Sequence, residues 1–237
     1  MSGLRRFYSE EPLEEDRAVI TGSEAHHILR VVRLRVGETA LLFDGSGVEC
    51  SSRLIASARG RAEFEILSRE LVDREPSVAV TVASAVPKGK RAEFLVEKCC
   101  EIGAKAFVPL TCARSVVDPR VRPENHLARW RRTVIETSKQ CGRTRLMEVI
   151  DPQSLTECVE RGGDRDGRWI CLPGIPERTV SAKGAASAML LIGPEGGFDA
   201  EEVSLADRCG FRALSLGKTT LRVETACFVA LTLLVHA

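Results

Sequence analysis

The chain contains 237 residues, of which 44% are hydrophobic, and its formal net charge is +1, so it can form a substantial core in one or two domains. Its nine cysteines show no CxxC spacing and its four histidines no HExxH, which excludes the usual zinc motifs and a disulfide framework; we expect no metal and a reduced, cytoplasmic setting. No apolar core of a signal peptide and no run of ~20 apolar residues is found, so we expect no membrane partner.

Residues up to about 72 alternate short apolar runs with turns, which is typical of a small β-rich domain. Strands are predicted at 40–43, 48–55 and 61–67, and a helix at Ser23–Val32. The apolar pattern is interrupted at Val72–Ser77, where charged residues precede a proline. The predicted domains are therefore residues 1–72 and 76–237.

From Val78 onward, predicted strands and helices alternate. Strands are expected near 78–86, 106–110, 147–150, 168–172 and 188–192, and helices near 91–102 and 124–140. This order predicts an α/β fold with a mostly parallel sheet. The last stretch, Val223–Val235, is apolar almost all round and too short to span a bilayer. It is either a central core helix or one that also packs against a second subunit.

The basic residues are concentrated in the middle of the chain. Residues 88–145 contain 14 basic and 6 acidic side chains, whereas the segments on both sides are net acidic. A block this basic favours a polyanionic partner such as RNA, because Lys and Arg near phosphates release condensed counterions. Ordinary solvated helix faces explain the arginines of the 124–140 helix about equally well.

Two glycine turns near the end of the chain predict a small-molecule pocket. In the first, an apolar strand runs into Gly193–Gly197, and Asp199 with Glu202 signals the start of a helix. In the second, Leu216–Ala226 passes from a predicted strand through Gly217 into the last helix. The backbone N–H groups of such turns approach a ligand closely, and two loops at neighbouring strand ends can enclose one ligand.

The ligand is not expected to be a simple polyphosphate or a dinucleotide. The order Gly-Pro-Glu-Gly-Gly matches neither the Walker loop nor the GxGxxG fingerprint. A simpler interpretation is that each turn only caps a helix, since Gly-Pro and Gly-Gly are ordinary turn residues. The occurrence of two such turns favours the pocket.

These motifs, taken together in order, match a known family. The chain carries RRFY at 5–8, HHILRVVRLRVGE at 26–38, FDGSG at 43–47, PKGKRAEFLVEKCCEIGA at 87–104, ARSVV at 113–117, ETSKQCGR at 136–143, IGPEGGF at 192–198 and LGKTTLRVETA at 216–226. In this it resembles the RsmE-type methyltransferases of the SPOUT superfamily, which methylate N3 of a uridine in small-subunit ribosomal RNA. Each motif alone is weak, but their order and spacing are specific.

The resemblance implies an N-terminal PUA-like β-barrel, a C-terminal α/β domain with a trefoil knot, and a homodimer with the last helix at its interface. It implies S-adenosyl-L-methionine as methyl donor and 16S ribosomal RNA, free or in the assembled small subunit, as partner. The chain departs from the family at Lys218 and Thr219, where a proline and an arginine are usual. The donor-binding residues that the resemblance and the two turns predict are Leu172, Pro173, Ile192, Gly193, Pro194, Glu195, Gly196, Gly197, Leu216, Gly217, Leu221, Thr225 and Ala226.

Methylation of an imide nitrogen requires in-line positioning, loss of the ring proton and stabilisation of negative charge on the uracil carbonyl oxygens. We predict Arg222, at the start of the last helix, as the charge-stabilising residue and Glu224 as a second catalytic residue. A structural ion pair is the competing interpretation of Arg222. Glu224, Glu195 and solvent all remain open as the acceptor of the proton.

RNA recognition requires a surface larger than the pocket. The predicted RNA-binding residues are basic, and several lie beside aromatic residues that could stack on bases: Arg5, Arg6, Arg30, Arg33, Lys88, Lys90 and Arg91. Two other classes stay open at this point. One is an RNA-binding module without catalysis, and the other is a Rossmann-like oxidoreductase or transferase, which the absence of GxGxxG disfavours.

Overall fold

The structure is a computed structural model that describes residues 5–161, 165–175, 182 and 184–236. The chain forms two compact units. The first consists of Met1–Glu75 together with Ile135–Leu146, and the second of Pro76–Val134 together with Met147–Ala237. The division after Glu75 lies within the predicted boundary segment, whereas the predicted domains placed residues 135–146 in the C-terminal part.

The first unit contains a five-stranded sheet. Its elements are β1 (Arg6–Tyr8), β2 (Arg17–Thr21), α1 (Gly22–His26), β3 (Thr39–Phe43), β4 (Val48–Ala58) and β5 (Arg61–Leu71). The strand order is β1-β3-β4-β5-β2, with β1 parallel to β3 and the other pairs antiparallel. The alternating apolar residues of these strands form one core that includes Phe7, Leu42, Leu54 and Phe64. The sequence therefore predicted a β-rich unit correctly.

The helix predicted at Ser23–Val32 is present but irregular. Helix α1 continues into a π-helical turn at His27–Val31, and the next residue but one, Arg33, has a left-handed backbone with φ of 57°. Both features are uncommon, and π turns occur frequently at functional sites. Arg30 and Arg33 are exposed on this segment.

Residues 135–146 belong to the first unit because of hydrogen bonds that no local pattern predicts. Arg143 Nε donates to Glu75 Oε1 at 3.0 Å, and Thr144 Oγ1 donates to the Val72 carbonyl at 2.6 Å. Arg145 Nη1 donates to the Ser46 carbonyl at 2.7 Å. All three partners are distant in sequence, so the pattern of residues along the chain does not predict these hydrogen bonds.

The second unit is an α/β fold. Its strands are β6 (Ala79–Ala85), β7 (Ala106–Thr111), β8 (Glu148–Val149), β9 (Gln153–Ser154), β10 (Gly167–Cys171), β11 (Ser187–Ile192) and β12 (Arg212–Leu214). Its helices are α2 (Lys90–Ile102), α3 (Pro123–Cys141), α4 (Leu155–Arg161), α5 (Ala200–Arg208) and α6 (Val223–Val235), with the last residues of α3 in the first unit. The strand order is β12-β10-β11-β6-β7-β8, with β9 also pairing with β7, and every recorded pair is parallel. The predicted α/β class and parallel sheet are confirmed; the trefoil knot stays a prediction.

Helix α6 is a core helix with an exposed side, and its packing against a second subunit stays a prediction. It packs on the central strands β6 and β11 and on α2, where Cys227 Sγ lies 3.4 Å from Cys99 Sγ. Val229 and Leu233 on the same helix are 39% and 45% exposed. Among the described residues, no helix is both long enough and apolar enough to cross a membrane.

Candidate functional site

The candidate site lies at the carboxyl edge of the parallel sheet. Strands β12, β10 and β11 are neighbours and end at Leu214, Cys171 and Ile192. Because the carboxyl ends of parallel strands meet at one edge, the loops that follow them come together there. These loops are the two glycine turns and the segment that begins at Leu172.

A cavity is formed between these loops and the start of α6. It is lined by Cys171, Leu172, Pro173, Ile192, Gly193, Pro194, Glu195, Gly197, Phe198, Leu214, Leu216, Gly217, Thr219, Thr220, Leu221, Val223 and Ala226. The structure thus brings together most of the predicted donor-binding residues. Gly196 and Thr225 are not part of the lining, and Thr225 is exposed on α6.

The glycine turn Gly193–Gly197 is closed by a hydrogen bond from the Gly197 N–H to the Pro194 carbonyl at 2.8 Å. A side chain at Gly193 would meet the Phe198 ring at 3.0 Å, so this position lacks room for a Cβ. Helix α5 follows with the predicted capping box: Glu202 N–H donates to Asp199 Oδ1 at 2.8 Å, and Asp199 N–H to Glu202 Oε2 at 2.9 Å. The turn is therefore held rigidly between β11 and α5.

A further loop, which follows β7, supports the same turn. Arg114 Nη1 donates to the Gly196 carbonyl at 3.0 Å, and the Ala113 N–H donates to Glu202 Oε1 at 2.7 Å. The motif ARSVV at 113–117 contributes to the family resemblance, but no role was predicted for Arg114 from the sequence. The position of the motif directly after a predicted strand is the signal that could have indicated one.

The second loop departs from the family pattern at Lys218 and Thr219. Thr219 and its neighbour Thr220 line the cavity, whereas Lys218 does not. Gly217 also lines it with a φ of 113°, and a Cβ added there would meet no heavy atom within 4 Å. The backbone is therefore open to the cavity at this glycine.

Two thiols occur at or beside the cavity. Burial raises the pKa of the Cys171 thiol strongly, and the nearby Cys227 adds to this. The pKa of Cys227 is raised as well, through its contact with Cys99 and through burial. Both thiols are therefore protonated at neutral pH and leave the cavity wall uncharged on this side.

The predicted catalytic residues lie at the start of α6. Arg222 is exposed at the N-cap position, between residues of the cavity wall. Glu224 is 7% exposed, and its Oε1 lies 3.8 Å from Arg91 Nη1. Arg91 Nη2 also lies 3.5 Å from Glu195 Oε1, so one arginine bridges the glycine turn and α6.

The predicted RNA-binding residues occupy different environments. Arg30, Arg33, Lys88 and Lys90 are exposed, and Arg5 is exposed with one hydrogen bond to the Val32 carbonyl. Arg91 is engaged in the two ion pairs above.

Arg6 is largely buried. Its side chain, 11% exposed, pairs with Glu49 and donates to the carbonyls of Ser138 at 2.7 Å and Arg143 at 3.2 Å. Burial lowers the pKa of Arg6 while Glu49 opposes this effect. These contacts hold the first unit together, so we leave Arg6 out of the proposed RNA surface. No cluster of potential metal ligands occurs among the described residues.

Comparison with known proteins yields one consistent family. A model described as RNA methyltransferase domain matches residues 74–235, and one described as RNA methyltransferase PUA domain matches residues 20–67. Ribosomal RNA small subunit methyltransferase E of Synechocystis is 34% identical, over 93% of this chain and 73% of the relative. The enzyme of that name from Bacillus subtilis is 30% identical, over 90% and 87%.

Solved structures agree with these matches. Ribosomal RNA small subunit methyltransferase E from Neisseria gonorrhoeae, bound to S-adenosyl methionine, is 30% identical with a TM-score of 0.88, covering 97% of this chain and 95% of its own. A Legionella pneumophila protein described as a methyltransferase, with bound SAM, is 29% identical with a TM-score of 0.90, covering 97% and 96%. The family resemblance inferred from the motifs is thereby confirmed, and these names favour an enzyme over a binding module.

Proposed function

The chain belongs to the RNA methyltransferase family, and on this premise we propose that it transfers a methyl group from S-adenosylmethionine to N3 of a uridine in 16S ribosomal RNA. The observation that carries the proposal is the cavity at the carboxyl edge of the sheet, which is formed by the two turns that the sequence singled out. A mostly apolar cavity with backbone and the acidic Glu195 in its wall suits a small organic cation better than a polyphosphate.

The residues present fit the proposed donor. Gly193, Gly197 and Gly217 line the cavity with backbone that carries no side chain of its own, while Ile192, Leu216 and Leu221 supply apolar walls. These residues, with Leu172 and Pro173, would hold S-adenosylmethionine. Bound there, it supplies a methyl group that its sulfonium has already activated for transfer.

The protein's contribution is then positioning and electrostatics. Arg222 lies between the cavity residues Leu221 and Val223. A guanidinium at this position would stabilise the negative charge that spreads onto the uracil carbonyl oxygens when the ring proton leaves. The apolar walls orient the reacting groups and exclude water from them.

The proposed RNA-binding residues are exposed and basic: Arg5, Arg30 and Arg33 belong to the first unit, and Lys88 and Lys90 to the second. The π turn and the left-handed backbone of Arg33 present two of these arginines on an irregular surface. We propose further that the enzyme acts as a homodimer through the exposed apolar side of α6, and that it works in the cytoplasm, where ribosomes are its partner.

The decisive test is a methyl-transfer assay with labelled S-adenosylmethionine on free 16S RNA and on small ribosomal subunits, followed by mass mapping of the product. We expect one added methyl group at N3 of a uridine. Comparison of the two substrates determines whether free RNA or the assembled subunit is used. No incorporation on either substrate, or methylation of a ribose or another base atom, would contradict the proposal.

A further inference from the structure

Glu224 is an unusual residue for a buried position. It is 7% exposed, and no described residue donates a hydrogen bond to its Oε2. A buried carboxylate oxygen without a donor costs free energy, because it has given up its hydration without compensation. Such an atom in a native structure requires an explanation, and a ligand that supplies the missing donor is one.

The other carboxylate oxygen of Glu224 is held in place. Arg91 Nη1 lies 3.8 Å from Oε1, and the same guanidinium reaches Glu195 of the cavity wall at 3.5 Å. Glu224 is also the second residue of α6, where the helix N-terminus attracts negative charge. One oxygen therefore has a cationic group at ion-pair distance, while the other receives no hydrogen bond from a described residue.

Glu224 lies on α6 among residues of the cavity wall, although its own side chain is not part of the lining. Val223, directly before Glu224, and Ala226, two residues after it, both line the cavity wall. Oε2 is enclosed in the ligand-free protein, so a substrate that enters between the glycine turn and α6 reaches this carboxylate only if its binding uncovers the oxygen. The imide N3–H of uracil is a donor of the required kind.

Other groups near the cavity suit the role of proton acceptor less well. The Glu195 side chain is 42% exposed, against 10% for Glu224, so water competes for its oxygens. The raised pKa of the Cys171 thiol keeps it protonated at neutral pH. Arg222 carries a permanent positive charge and accepts no proton.

We propose, on the basis of the function proposed above, that Glu224 is the general base of the methyl transfer and that Arg91 is its positioning residue. The N3 proton passes to Oε2 of Glu224. The N3 electron pair forms the bond to the methyl carbon, and the electron pair of the broken carbon–sulfur bond stays on the sulfur, which leaves as a neutral thioether. The carboxylic acid then returns its proton to water, so that atoms and charges balance.

The test is Glu224→Gln, which keeps the shape of the side chain and removes the base. A general base contributes a factor of about 10² to 10⁴, so the single-turnover rate at saturating donor and RNA should fall by at least about 100-fold. Calorimetric affinity for S-adenosylmethionine and filter-binding affinity for 16S RNA should change less than about threefold. The wild-type rate should fall at acidic pH, and Glu224→Gln should lack this acid limb.

Stability provides a readout that does not depend on turnover. Because the unpaired oxygen is costly in the ligand-free protein, Glu224→Gln should unfold at the same temperature as wild type or higher. The matched control is Glu97→Gln, which removes a half-exposed carboxylate of α2 that pairs with Lys98 and should leave rate and donor affinity unchanged. A melting temperature that drops by several degrees in Glu224→Gln would assign the carboxylate a structural role and overturn the proposal.

The positioning role of Arg91 has its own readout. Arg91→Gln should lower the single-turnover rate, and Arg91→Lys should restore part of it, because an ammonium can still hold Oε1 although it lacks the fork that reaches Glu195 as well. Equal loss in both variants would contradict this role.

The outcomes separate this inference from the proposed function. If wild type methylates no RNA, the proposed function fails. If wild type is active and Glu224→Gln retains its rate within threefold, or loses donor affinity in parallel with rate, the function stands and the assignment of the base is overturned.

Discussion

At the residue scale, Gly217 couples backbone conformation to the proposed donor site. Its φ of 113° is strained for any residue with a Cβ, although the space beside it is open. A side chain there would strain the loop and would be added at a residue that lines the cavity. The effect on stability and the effect on donor binding can be measured separately.

We predict that Gly217→Ala destabilises the protein by about 1–3 kcal/mol, the usual cost of a forced left-handed backbone, and weakens donor binding at least tenfold. Urea unfolding and calorimetry with S-adenosylmethionine measure the two effects. Gly60→Ala is the control, because Gly60 also has a positive φ (73°) and open surroundings but belongs to the hairpin of the first unit. If Gly217→Ala binds the donor as tightly as Gly60→Ala does, Gly217 is not part of the donor site.

Arg222 supplies the second prediction at this scale. Arg222→Ala should reduce methyl transfer by about 10² to 10³, the range seen when one charge-stabilising donor is removed, and change donor affinity little. Arg212→Ala, which removes another exposed arginine of the same unit, should keep full activity. Wild-type turnover in Arg222→Ala would exclude the arginine from catalysis.

Arginines also mark the limit of what the sequence could predict at this scale. Arg6 and Arg91 were predicted to bind RNA because of their charge and, for Arg6, because of the aromatic residues beside it. Their partners Glu49, Glu195 and Glu224 lie far away in the sequence, and only the fold brings them within ion-pair distance. The lining residues of the two glycine turns were predictable because each turn is a contiguous segment with its own backbone chemistry.

At the scale of elements, α5 links the glycine turn to the loop after β7. Glu202 closes the capping box with Asp199 and also accepts the Ala113 N–H. The start of α5 therefore connects two loops of the site through hydrogen bonds. Its integrity should influence both stability and donor binding.

We predict that Asp199→Ala costs about 1 kcal/mol of stability, the typical value for a lost N-cap, and lowers donor affinity several-fold by loosening Gly193–Gly197. Glu201→Ala, in the same turn of α5 but outside the capping box, should have little effect on either. Chemical denaturation and calorimetry on both variants provide the measurement. A donor affinity that is unchanged in Asp199→Ala would show that the turn keeps its shape without its cap.

Elements were predictable where their periodicity was long or their caps were explicit. Helices α2, α3 and α6 and the central strands lie within a few residues of their predicted positions, and the box at Asp199 and Glu202 was identified from spacing alone. Helix α4 (Leu155–Arg161) was not predicted, because seven residues provide less than two full periods. Strand β9, with two residues, has no pattern of its own.

At the scale of the whole molecule, the proposed RNA binding and the proposed dimer depend on surfaces that no single motif defines. Charge reversal of Arg30 and Arg33 should weaken RNA binding and reduce the slope of log affinity against log salt by about 0.7 to 0.9 per lost phosphate contact. Reversal of Arg17 and Arg59, two other exposed arginines of the first unit, changes net charge equally and is the control. Equal slopes for the two double variants would contradict a specific surface at Arg30 and Arg33.

The exposed side of α6 is the surface through which we expect two copies of the chain to associate. Phe94 of α2 is 45% exposed and packs edge to face against Phe228 of α6. Helix α6 also carries the exposed residues Val229 and Leu233. Large exposed apolar side chains grouped in this way indicate an interaction surface. Val229→Asp with Leu233→Asp should convert a dimer into a monomer in sedimentation experiments, whereas Leu71→Asp, at a position 74% exposed in the first unit, should not. A monomeric wild type would exclude the homodimer.

The interruption of the apolar pattern near residue 75 was visible in the sequence, but the place of residues 135–146 in the first unit was not. The proline and charged residues at 72–77 interrupt the apolar pattern locally, whereas the hydrogen bonds of Arg143, Thr144 and Arg145 depend on long-range topology. For the same reason the knot is predicted only by the resemblance and by no sequence pattern, since a knot is a property of the complete chain path.

The most direct test of the central claim is a crystal structure of this protein with S-adenosylmethionine. The account predicts the donor within the cavity, hydrogen-bonded to backbone groups of Gly193–Gly197 and of the loop around Gly217, with its methyl group facing the start of α6. A donor bound elsewhere, or bound in the cavity without contact to either glycine turn, would contradict it.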